Sequence, residues 1–124
     1  MFENADLISV YTRAQAIEDG VLVDVSEWAR ACGFKLPVAV TRAVWDRCIE
    51  VPKSRKRIES EHARARDVLF VLFMCIRRTP NTDRINYQIR CSVKEGRRIV
   101  RLKALLGAGD DGRPVVTILL PEED

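Results

Sequence analysis

Among side chains that carry chemistry, histidine and cysteine are the scarce ones here: one His, His62, and four Cys, Cys32, Cys48, Cys75 and Cys91. A cysteine nucleophile needs a base within reach of its thiol. His62 is the only imidazole available, and it falls mid-helix among Glu59, Glu61, Arg64 and Arg66, where a surface histidine is the plainer reading. The cysteines are 16, 27 and 16 residues apart, with no CxxC pair, so no zinc spacing can be assembled. They read as small buried hydrophobes of a reducing compartment.

Paired carboxylates serve acid–base catalysis only when held together in a cleft. The acids of this chain fall in caps, turns and the tail. A glycine-rich segment, Gly107 to Gly112, invites a phosphate-loop reading but leads into a strand and carries Asp110 and Asp111, which repel phosphate. Asp110-Asp111-Gly112-Arg113-Pro114 is turn chemistry, and its two aspartates would make only a weak divalent-ion site. The sequence therefore predicts no enzyme, no metal and no cofactor.

Charge is distributed more informatively than its sum. The chain has 124 residues and a formal net charge of +3, but residues 1–52 carry −3, 53–67 carry +3, 68–103 carry +7 and 104–124 carry −4. Such asymmetry can steer a charged partner or simply keep a protein soluble. The basic middle holds the candidate binding residues. Arg84 and Arg90 share the outer side of one expected strand, and Arg101 and Lys103 that of its neighbour; Lys53, Arg55, Lys56 and Arg57 form a second patch. Phosphate backbones need such charge, yet single-stranded nucleic acid also calls for stacking aromatics. Tyr87 is the one aromatic in the strand region, and its parity places it on the apolar side.

These residues must be positioned by one domain spanning 1–124. Thr12 and Gln15 form a capping box for a helix that Gly20 stops, and Asp24 and Glu27 suggest another for a helix ending at Gly33. Val38–Val40 extends from Pro37, and Thr41 caps a helix carrying Val44, Trp45, Cys48 and Ile49. From Ser54 to about Arg78, apolar residues recur at three and four, predicting a long helix whose second half, apolar nearly all round, crosses the core. Thr79 to Asp83 ends it. The period then becomes two: Ile85, Tyr87, Ile89, Cys91 and Val93 face inward, a second strand runs from Arg98 to Leu106, and a third from Val115 to Leu120. The expected fold is α+β, with short N-terminal helices and one long helix packed on a C-terminal three-stranded antiparallel meander. The longest apolar run, Val68–Ile76, has nine residues, about half of what a membrane span needs, and Met1–Asp6 lacks a secretory signal. A cytoplasmic protein that does not enter membranes is expected.

Three stretches, Ile8–Val25, Pro37–Trp45 and Gly109–Ile118, resemble a family of small bacterial proteins of unknown function carried on plasmids, integrative elements and prophages. The resemblance spans nearly the whole chain and brings no catalytic residues with it. What it implies is a setting: a non-catalytic protein of a mobile element that binds a host protein or nucleoprotein complex, such as a CRISPR effector, as an anti-CRISPR or anti-restriction inhibitor. A basic chain is a poor DNA mimic, so it would dock on an acidic or apolar surface. The alternative is a nucleic-acid-binding accessory protein of plasmid or phage maintenance that uses the same basic face.

Overall fold

The computed structural model describes residues 11–51, 60–93 and 96–123, except for the side chains of residues 92, 93, 96 and 97. The elements are α1 (Arg13–Glu18), β1 (Leu22–Asp24), α2 (Ser26–Cys32), β2 (Val38–Thr41), the single turn α3 (Arg42–Val44) continuing as a π-helical turn (Trp45–Ile49), α4 (Glu61–Arg78), β3 (Arg84–Val93), β4 (Gly96–Ala108) and β5 (Pro114–Leu119).

Local chemistry accounts for most boundaries. The Thr12 hydroxyl accepts from the Gln15 amide, and the Gln15 side chain accepts from the Thr12 amide, which completes the capping box of α1. The second box does not form. Asp24 instead accepts from the amide and hydroxyl of Ser26, and the N-cap of α2 is Val25. Gly33 ends α2 at φ +116, and a Cβ there would lie 2.8 Å from the Phe73 ring; both backbone and neighbour require glycine. Ser60 caps α4 through the Ala63 amide.

The sheet corrects the expected architecture. It has five strands in the order β1-β2-β5-β4-β3, with β2 and β5 parallel and every other pair antiparallel. The last three strands do pair in sequence, but they are not a separate meander. β2 adds beside β5, and β1 extends the sheet beyond it, so the fold is α+β around a mixed sheet. The reason is visible in β2, where all four residues are buried. A strand apolar on both sides belongs in the interior of a sheet, not on a connection.

One face of the sheet carries the core. Val38, Val40, Val116, Ile118, Leu102, Ile89 and Tyr87 pack beneath Ala65, Val68, Leu69 and Leu72 of α4, with Ala29 of α2 and Val44, Cys48 and Ile49 beside them. The Tyr87 hydroxyl donates to the Val68 carbonyl at 3.2 Å, tying β3 to α4. On the other face, α1 docks on β5: the Arg13 guanidinium donates to Thr117 Oγ1 and the Val116 carbonyl. α4 does not cross the core as its composition suggested. Phe70 is 52% exposed, and Met74 and Ile76 also reach solvent, because α4 lies on the sheet beside α2 and the π-helical turn and keeps an outer side open. No helix among the described residues is long and apolar enough to cross a membrane.

Candidate functional site

The candidate surface is built by the pairing of β3 with β4. Their register sets Arg84 opposite Leu105, Asn86 opposite Lys103, Gln88 opposite Arg101 and Arg90 opposite Ile99. Because successive side chains on a strand alternate between faces, these eight share the face turned away from α4. Arg84, Asn86, Gln88, Arg90 and Arg101 are exposed as their parity predicts. At the hairpin end of this row Ile99 is 59% exposed, an apolar side chain opposite Arg90 and two residues along β4 from Arg101.

Lys103 departs from the expected exposed stripe. It is only 5% exposed, and its ammonium donates to the carbonyls of Pro121 and Glu123. The C-terminal turn folds over it: the Glu123 carboxylate accepts from the Thr41 hydroxyl and the Leu120 amide, both at 2.7 Å. Lys103 is thus a fastening for the tail. Lys53, Arg55, Lys56 and Arg57 lie outside the described residues.

Strand periodicity alone missed two arginines that lie beside this face. Arg47 from the π-helical turn and Arg98 of β4 line, with Gln88, Ile99, Arg101 and Glu122, a groove of about 870 Å³. By parity Arg98 falls with the inward Val100 and Leu102, and its meeting with Arg47 depends on tertiary packing, so strand alternation pointed to neither.

Among the described residues, His62, Cys48, Cys91, Asp110 and Asp111 are engaged in local contacts. His62 is exposed, and its ring stacks on Trp28 at 5.4 Å, with Trp28 stacked in turn on Trp45 at 6.2 Å. That column fixes α2 against α4 and the π-helical turn. Cys48 and Cys91 are buried and share a hydrogen bond; that bond and burial push the Cys48 thiol up, while the same bond lowers that of Cys91 against the effect of its burial. Neither thiol lines the groove. The Asp110 carboxylate accepts from the amides of Ala14 and Arg13, which hold it below the usual carboxylate range. Asp111 turns to the Arg113 amide of its own loop. No group of three or more potential metal ligands occurs among the described residues.

A second cavity, about 270 Å³, opens between the C-terminal ends of α2 and α4 and the adjoining ends of β3 and β4. Phe34, Leu36, Phe73, Ile76, Ile85 and Leu106 line it, giving almost wholly apolar walls. Lys35, Asp83 and Arg84 also border it, but they contribute little of its exposed wall.

A family model described as a family of unknown function, DUF6573, matches residues 1–124. The chain belongs to the DUF6573 family. No match was found among curated proteins, and none among solved structures. In this DUF6573 protein the outer face of β3 and β4 is the candidate surface.

Proposed function

We propose that this protein works by binding rather than by catalysis, and that the outer face of β3 and β4 docks on an acidic protein surface. The observation that carries this reading is Ile99, exposed between Arg90 and Arg101. Protein interfaces combine an apolar centre with a polar rim, and arginine is enriched in them. A site that only tracks phosphates has no use for an exposed isoleucine beside its arginines. Tyr87 points into the core, so it offers no platform for base stacking.

The resemblance to proteins of plasmids, integrative elements and prophages supplies the setting. In this reading the protein acts in the cytoplasm against a host defence complex, as an anti-CRISPR or anti-restriction inhibitor, with a CRISPR effector as one candidate target. The test is affinity capture of the tagged protein from a host lysate with active defence systems, with and without nuclease. A specific protein partner that survives nuclease supports the proposal, provided that R84E/R90E/R101E loses it while remaining folded. A capture abolished by nuclease, with affinity falling steeply as salt rises, transfers the function to nucleic-acid binding.

A further inference from the structure

The groove beside Ile99 has a property beyond its charge: its floor is an open strand edge. β4 pairs with β3 from Gly96 to Leu105, but β5 accompanies it only from Lys103 to Ala108. Residues 98–102 of β4 therefore have a strand neighbour on one side alone. β5 stops there for a local reason. The Leu120 amide is diverted to the Glu123 carboxylate, and Pro121 has no amide to offer. The chain then turns away over Lys103.

We infer that this edge accepts an extended acidic segment of the partner as an added strand. The inference rests on the docking face proposed above and specifies how that face would be used. An antiparallel or parallel neighbour would find alternate backbone donors and acceptors of residues 98–102 directed toward it. Five residues give about 17 Å of edge. The ladder between β3 and β4 runs through this stretch without a bulge, so nothing in its register bends the edge away.

Charge selects the occupant. Arg101 stands on one face of β4, and Arg47, from the π-helical turn, flanks the groove, which Glu122 also lines. An incoming strand alternates its side chains between the same two faces, so acidic residues on either side of it meet an arginine. The β3 or β4 strand of a second copy would bring arginines against arginines. Ile99 and Val100 add apolar contacts between the charges.

The probe is a capped seven-residue peptide, Glu-Glu-Val-Glu-Glu-Val-Glu, which carries acids on both faces of a strand, titrated into the ¹⁵N-labelled full chain. Its control is the same peptide N-methylated at every internal residue, which keeps the charges but cannot extend a ladder. The parent peptide is expected to shift the amides of residues 98–102 and slow their exchange. The control should bind at least tenfold more weakly, and R47E/R101E should lose the parent peptide by a similar factor. Equal binding of both peptides overturns strand addition but leaves acidic docking on the face intact. Shifts confined to β3, self-association blocked by the peptide, or no binding at millimolar peptide each overturn the inference. Loss of the captured partner's response to R84E/R90E/R101E is the separate result that would remove the docking face itself.

Discussion

Lys103 and Glu123 show how one residue's role depends on chain that is distant in sequence. A buried ammonium must have its protons accepted, and here the carbonyls of Pro121 and Glu123 do so. The Glu123 side chain meanwhile joins Thr41 of β2 to the amide of Leu120. E123A leaves a half-buried hydroxyl and amide without that acceptor and is expected to cost about 1–3 kcal/mol in urea unfolding, whereas E122A should stay within about 0.5 kcal/mol. Asp110 gives a prediction with a pH signature. Two backbone amides lower its folded pKa below the unfolded value. Its stabilisation is therefore present above the ordinary carboxylate pKa of about 4 and is lost as pH falls through the lower folded value. Thermal unfolding of D110N against the parent should show a gap at neutral pH that closes below about pH 4. A gap independent of pH would assign the effect to loop geometry. Alternation made the exposure of Arg84 and Arg90 legible from sequence; the burial of Lys103 was not, because no local pattern records where the tail folds.

The same division holds for elements. The capping box of α1, the glycine stop of α2 and the period-two pattern of β3 are written in a few adjacent residues, and each forms. Strand order is not local, since β2 and β5 are separated by α4 and the whole β3–β4 hairpin yet lie side by side. The clue was the unbroken apolar run at Val38–Val40, which reads as an inner strand once its lack of alternation is taken seriously. The π-helical turn at Trp45–Ile49 was likewise hidden behind spacings of four, three and four that an α-helix satisfies equally well. Gly33 tests the packing between elements. A methyl group there meets the Phe73 ring at 2.8 Å on a backbone at φ +116, so G33A should destabilise by about 1–3 kcal/mol and loosen α2 from α4. F73A added to G33A should recover the steric part of that loss but not the backbone part. Double-mutant unfolding separates the two.

For the molecule as a whole, the uneven charge of the sequence becomes a sided object. The face of β3 and β4 that is turned away from α4 presents Arg84, Arg90 and Arg101, while acidic residues of the tail fold back beside it. Charge and apolar area on such a surface act at different stages of association. Exposed charges accelerate encounter and make it salt-dependent, whereas a desolvated apolar centre slows departure. R90E should therefore lower the association rate for the captured partner and weaken its dependence on salt. I99A should leave folding within about 0.5 kcal/mol, since the side chain is already exposed, yet raise the dissociation rate roughly tenfold, as truncation of an apolar anchor does. Duplex DNA as the true ligand predicts another pair of results: R90E reduces the salt slope, and I99A changes nothing, because an isoleucine has no phosphate to meet. Surface plasmon resonance on the two variants at two salt concentrations decides between them. The response of Ile99 is the deciding one, because both ligands require the arginines and only a protein partner requires the apolar side chain between them.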